Sequence, residues 1–220
     1  MSNKRPVRSL LRPIFPSVAL FARTLGLVYS KRSALREWGY IESTKLKKPC
    51  RRDGSPLPWM NYQVIHFLEQ RLTKDLSVFE YGSGNSTNFF AALVKDVTSV
   101  ETDAEWHAHV RKTMPPNVNL MLFDMGSKGY SELAKRQSHK FDVIVVDAHD
   151  RPDCVMQAPA ALTDRGVVLL DDAQRDAYGK AIDWLLGQGF RKLDFEGLKP
   201  AAIRAYRTTV FYRDNNCLGI

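Results

Sequence analysis

The stretch VFEYGSGNST, Val78 to Thr87, places an acid, two glycines and several small polar side chains directly behind an apolar run. A strand that only fills a core has no use for Gly82, Ser83 and Gly84 at its end. A ligand that must come close to the main chain does, because glycine turns sharply and has no Cβ to block the approach. Glu80 precedes the bend, and Asn85 and Ser86 follow it where a helix would begin. Three more carboxylates then stand at the ends of successive apolar runs: Glu101, Asp124 and Asp147. A carboxylate about one strand–helix unit after a glycine bend is placed to take both ribose hydroxyls of a nucleoside. Asp124 is placed to reach an adenine amino group or the same ribose. Taken singly, each acid could instead cap a helix or turn the chain; as a set with the glycines, they point to a nucleoside-bearing ligand.

The later loops, DAHDRPD and DDAQRDAY, hold the residues suited to chemistry on a second substrate. Two arrangements are open. In one, His149 is a general base oriented by Asp147 or Asp150, with Arg151 and Arg175 holding an anionic part of the substrate. In the other, Asp147, Asp171 and Asp172 gather around a hard cation such as Mg²⁺ or Ca²⁺, which would lower the pKa of a bound hydroxyl. His66, His107, His109 and His139 show no ligand spacing. Asn85 heads a glycosylation triplet, but one that lies inside the glycine bend. Cys50, Cys154 and Cys217 are far apart and form no C-x-x-C pair, which argues against a disulfide scaffold and for a reducing compartment.

Alternating strands and helices must position these groups. The strands are SVFEY, VTSVE, VNLMLFD, FDVIVVD and GVVLLDD, with helices TNFFAALVK (from a cap at Ser86/Thr87), AEWHAHVRKT, YSELAKRQ, VMQAPAALT and AYGKAIDWLLGQG between and after them. FRKLDFE and RTTVFYR close the chain as strands with no helix between them and predict an antiparallel hairpin at the sheet edge. The expected fold is α/β: a doubly wound, mostly parallel, seven-stranded sheet in which ligands bind at the carboxyl ends of the strands. Asn61 to Leu72 reads as a helix ahead of the first strand, residues 17–40 as another, and KLKKPCRRDGSPLPW as a connector. Trp59 and Tyr62 read as packing against the first helix or as a lid over a substrate. The division expected is a basic, partly helical extension over 1–58 and a ligand-binding domain over 59–220.

FEYGSGNS resembles the first motif of the class I S-adenosylmethionine-dependent methyltransferases, acid-x-Gly-x-Gly-x-Gly. VTSVETD resembles their ribose-binding second strand, FDVIVVDA their fourth-strand motif, and LTDRGVVLLDD their fifth strand. The likeness spans about residues 60–214. It departs at Ser86, where the third glycine is usual, and at Asp164-Arg165, where Pro-Gly is usual. A dinucleotide-binding fold would need G-x-G-x-x-G, whose third glycine position is Thr87 here, whereas a sulfonium nucleoside has no pyrophosphate and does not need it. The resemblance implies a Rossmann-like transferase using S-adenosyl-L-methionine. Gly82, Ser83 and Gly84 would lie along the methionine portion, Glu101 would hold the ribose, Asp124 would lie near the adenine, and Glu80 would support the loop. The carboxylates after the fourth and fifth strands resemble those of the catechol-type metal-dependent O-methyltransferases, with Asp172 where those carry Asn. The implied reaction is O-methylation of a small-molecule or glycan-type hydroxyl. The alternatives are a nucleic-acid methyltransferase, though the Asn/Asp-Pro-Pro-aromatic signature of amino-group methylases is missing, an aminopropyl transferase of the spermidine-synthase type, and a binding protein without chemistry.

Of 220 residues, the first 52 carry thirteen Lys/Arg against two acids, a net of +11, while the rest nets −3. So uneven a distribution suits an anionic partner for the arm: a membrane surface, nucleic acid or a phosphorylated substrate. Residues 1–12 read as unstructured. Pro16, Arg23 and Gly26 break the apolar segment Ile14–Tyr29, so neither a membrane span nor a secretory leader is expected. SVALFARTLGLVY reads as an amphipathic helix that packs on the domain or lies on a membrane. The chain is thus expected to be cytoplasmic, with peripheral membrane contact as an option.

Overall fold

The computed structural model describes residues 16–220; the expectation for residues 1–12 lies outside them. Seven strands form one sheet in the order β3-β2-β1-β4-β5-β7-β6. They are β1 (Ser77–Tyr81), β2 (Asp96–Glu101), β3 (Val118–Leu122), β4 (Phe141–Val146), β5 (Leu162–Asp171), β6 (Arg191–Leu198) and β7 (Ala205–Tyr212). The first five pair in parallel. The antiparallel hairpin is present, and its second arm inserts between β5 and β6, with Asp171 opposite Thr208. The order reverses between β1 and β4. A crevice therefore opens at the carboxyl ends of those two strands, where Tyr81 leads into the glycine bend and Val146 into Asp147.

The central strands are apolar on both faces because helices cover both. Phe79, Tyr81, Ile144, Val146 and Val168 point into one buried layer, and Val78, Val143, Val145, Val167 and Leu169 into the other. The covering helices are α4 (Tyr62–Arg71), α5 (Asn85–Leu93), α6 (Ala104–Val110), α7 (Arg151–Gln157) and α8 (Gly179–Gly187). YSELAKRQ forms only a short 3-10 turn, Tyr130–Glu132, where a helix was expected. The cap of α5 is Gly84, not Ser86 or Thr87.

The single helix expected over 17–40 is two, α1 (Pro16–Tyr29) and α2 (Ala34–Glu37), and a third, α3 (Tyr40–Leu46), runs from its expected end into the connector. Ser33 ends the first by capping α2, its hydroxyl accepting from the Arg36 amide. Gly39 breaks the second at φ +86, with the Cys50 carbonyl where a Cβ would stand. The connector after α3 is ordered by burial of Cys50, which pairs with Pro56 across a β-bridge and whose amide and carbonyl both bond the Ser43 hydroxyl. Tyr62 is buried with its ring tilted against Trp38, whereas Trp59 is half exposed and donates its indole N–H to Pro200 in the β6–β7 turn.

Asn61 ties this segment to the sheet. It is fully buried, caps α4 by accepting from the Val64 amide, and donates to the Phe195 carbonyl at 2.9 Å and the Thr208 hydroxyl at 3.1 Å. Replacing it by alanine removes a cap and strands acceptors inside the core. Asn61→Ala is expected to cost about 2–4 kcal/mol, read as a lowered urea midpoint at unchanged slope.

Candidate active site

The end of β1 is bent by two glycines whose torsions other residues rarely adopt: φ is +111° at Gly82 and +152° at Gly84. Gly82 still pairs with β2, its amide donating to Val100 at 2.9 Å, while the Ser99 hydroxyl donates to its carbonyl at 2.5 Å. A Cβ on Gly82 would lie 3.5 Å from the Asp147 carbonyl and from the Ala148 side chain. The β4 end thus runs directly beside the bend. Thr87, in the first turn of α5, is the clasp. Its hydroxyl accepts from the Gly84 amide at 3.0 Å and donates to Glu80 at 2.6 Å.

Glu80 is therefore a support and not a wall of the cavity: it is 1% exposed, sealed beneath the bend. Burial pushes its pKa up to about 7, against the hydroxyls of Ser86, Thr87 and Ser99, which favour the carboxylate, while the charge of Glu101 adds to the rise.

Glu101, at the end of β2, faces the bend. One carboxylate oxygen accepts the amides of Thr102 and Asp103, at 2.8 and 3.0 Å, which fixes the side chain. The other accepts the Ser83 hydroxyl at 2.5 Å. Here a hydroxyl stands where the carboxylate would receive those of a ribose, and it belongs to Ser83 of the bend itself. A carboxylate beside a glycine bend suits the hydroxyls of a nucleoside, which would take the place of the Ser83 hydroxyl on its second oxygen. Trp106 closes the outer side, its indole N–H donating to the Ser83 carbonyl at 3.1 Å.

Two other expected cofactor contacts are less direct. Asp124 is exposed and turns the chain after β3, accepting the Gly126 amide at 2.9 Å. The Asn85 side chain donates to the Pro49 carbonyl at 2.6 Å and so fastens the connector to α5.

At the ends of β4 and β5 the carboxylates are interleaved with cations. Arg151 holds Asp147 at 2.9 Å and approaches Asp172 at 3.4 Å. Buried Lys199, from the β6–β7 turn, bonds both Asp171 and Asp172, and Arg175 bonds Asp172 at 2.7 Å. Thr208 donates to the remaining oxygen of Asp171 at 2.6 Å and joins this group to Asn61. Burial works against charge on Lys199, but the two aspartates prevail and hold its pKa above the ordinary lysine value. Asp172 is likewise desolvated, yet Lys199, Arg151 and Arg175 keep it below the usual range. Asp147 goes the other way: burial and then the charge of Asp171 raise it well above the usual value, against the pull of Arg151 and Lys199.

This overturns the expected cation site. Among the described residues no three His, Cys, Asp or Glu side chains gather as a ligand set. Guanidinium and ammonium groups occupy the space between Asp147, Asp171 and Asp172, and a metal would have to displace them. The expected His149 dyad is not formed either. His149 is exposed, and Asp147 bonds Arg151 instead.

Ser99, Trp106, Lys199 and Thr208 were not singled out in the sequence, and Thr87 was read only as part of a helix cap. Thr87 and Ser99 lay inside motifs already quoted; Lys199 carried no local signal, because the hairpin that brings it to β5 sets its place.

Neither a protein-family model nor a curated protein sequence matches the chain. Solved structures do. Precorrin-6y C5,15-methyltransferase from Geobacter metallireducens superposes with a TM-score of 0.53 at 14% identity, over 69% of this chain and 87% of that one. The fold is that of the Rossmann-like methyltransferases. A methyltransferase-like protein from Silicibacter pomeroyi gives 0.50 at 22% identity, over 71% and 89%. Spermidine synthase from Thermotoga maritima gives 0.51 at 15%, over 69% of this chain but only 56% of its own.

The raised Glu80 makes the fold pH-sensitive. The folded state keeps that proton above the pH at which the unfolded chain releases it, so stability falls as pH rises from about 4.5 to about 7, by roughly 3 kcal/mol in all, and is level beyond. Glu80→Gln is expected to flatten that stretch of the profile, measured by urea unfolding from pH 4.5 to 8.

Proposed function

We propose that this chain is an S-adenosyl-L-methionine-dependent methyltransferase that acts on a hydroxyl of an anionic small molecule or glycan. The observation that carries the reading is the Glu101 carboxylate, fixed by two amides and turned onto a glycine bend of left-handed torsions. Glu101 would hold the ribose hydroxyls, and the backbone of Gly82, Ser83 and Gly84 would run along the amino-acid portion. When bound, the cofactor supplies an electrophilic methyl group on a sulfonium.

The acceptor needs only to be held in line and relieved of a proton. Asp147 is the group assigned to take it: its main chain runs beside the glycine bend, and its carboxylate, on Arg151, is of raised proton affinity. Arg151 anchors its carboxylate. His149, on the same loop, is exposed and suited to pass the proton to solvent. The acceptor end carries a surplus of positive charge, because Arg204 adds to three cations that balance Asp147, Asp171 and Asp172. Arg175 is half exposed, and the ring of Tyr206 lies between Lys199 and Arg204, at 4.8 and 5.0 Å. These charges favour a phosphate or carboxylate on the acceptor. They disfavour aminopropyl transfer to a polyamine, which would need unpaired carboxylates where Asp147, Asp171 and Asp172 are all paired.

Transfer of labelled methyl from S-adenosylmethionine to an extract of anionic metabolites is the direct test. Asp147→Asn is expected to lower the rate at least a hundredfold with cofactor affinity unchanged, His149→Ala less than tenfold. Full activity of Asp147→Asn would remove the assigned base. A chelator is expected to change the rate less than twofold; abolition restorable by Mg²⁺ would reinstate the metal route.

A further inference from the structure

We infer that α1 is a membrane-docking helix that seats the protein on an anionic lipid surface. None of its fourteen residues is buried. Val18, Phe21, Ala22, Leu25, Val28 and Tyr29 recur at three- and four-residue steps and share a face, while Leu20 and Leu27 lie on the far side with Arg23 and Thr24. Val18, Leu20, Phe21 and Tyr29 are each more than 60% exposed, an unusual state for large apolar side chains on consecutive turns. At about 1.5 Å per residue the helix is roughly 21 Å long, short of the about 30 Å needed to cross a bilayer, and no helix among the described residues is long and apolar enough to cross one. Such a helix lies in the interface, not through it.

Charge selects the occupant. Residues 1–52 carry a net of +11; Arg23, Lys31 and Arg32 are exposed on or just beyond α1, and Lys47 and Lys48 are exposed after α3. Anionic headgroups complement these cations while acyl chains take the apolar face. A second copy would bring the same positive arm against the first. Nucleic acid would satisfy the cations but leave the apolar face in water. The connector that ends the arm is fastened beside the glycine bend by the bond between Asn85 and Pro49, so docking also fixes the site relative to the surface.

The test is co-sedimentation of the full chain with vesicles of phosphatidylcholine alone or with a third phosphatidylglycerol, with Phe21→Asp/Leu25→Asp as the variant. Both positions are exposed, and an unchanged thermal midpoint shows that the fold is kept. The expected result is at least tenfold stronger binding to the anionic vesicles, weakened by salt and lowered at least tenfold by the variant. The inference is overturned if anionic vesicles do not bind, if the variant binds as well as the parent, or if the variant instead abolishes self-association seen without lipid. Preferential retention on an RNA oligonucleotide, insensitive to the variant, also overturns it.

Discussion

One hydroxyl and one sealed carboxylate hold the cleft of this protein in shape. The Thr87 hydroxyl accepts a hydrogen bond from the Gly84 amide and donates one to Glu80, so the bend after β1 is tied from below to the strand it leaves. Without that tie, two glycines in left-handed torsions would have many conformations. With it, the bend lies in reach of Glu101, and the main chain beside Asp147 closes its other side. The tie rests on a buried carboxylate, which explains why its proton affinity is high and why the glycine loop and the pH response are one phenomenon.

The second organising feature is a charge-balanced chain of side chains at the ends of β4, β5 and β7. Asp147, Arg151, Asp172, Lys199, Asp171, Thr208 and Asn61 are joined in sequence by hydrogen bonds or ion pairs, with Arg175 a branch on Asp172. Buried charges persist when paired and hydrogen-bonded. The chain fixes the hairpin turn and the start of α4 around the acceptor end and leaves Asp147 as its one strongly destabilised carboxylate. A mechanism that spends Asp147 as a base therefore draws on the same electrostatics that hold the sheet edge.

Much of this was legible in the sequence, and the reason is local. The parallel strands are continuous apolar runs, and the glycine bend and Glu101 lie at run ends, so their place follows from the alternation of elements. What was not legible depends on tertiary pairing. The partners of Asp171 and Asp172 come from Lys199, brought over by an antiparallel hairpin, and three carboxylates without their cations read as a metal site. The helix expected over 17–40 failed because Ser33 and Gly39 act through caps and a left-handed turn that override an apolar pattern. YSELAKRQ has helical propensity but spends its chain on a 3-10 turn that buries Tyr130 against Tyr81.

The central claim is that Glu101 receives the ribose of an adenosyl sulfonium. Calorimetric titration of S-adenosylhomocysteine into the parent chain and into Glu101→Ala tests it most directly. The account predicts saturable one-to-one binding by the parent and a loss of about 1–3 kcal/mol in the variant, an affinity roughly five- to 150-fold weaker. Equal affinity in the two, or no binding by a folded parent, would contradict it.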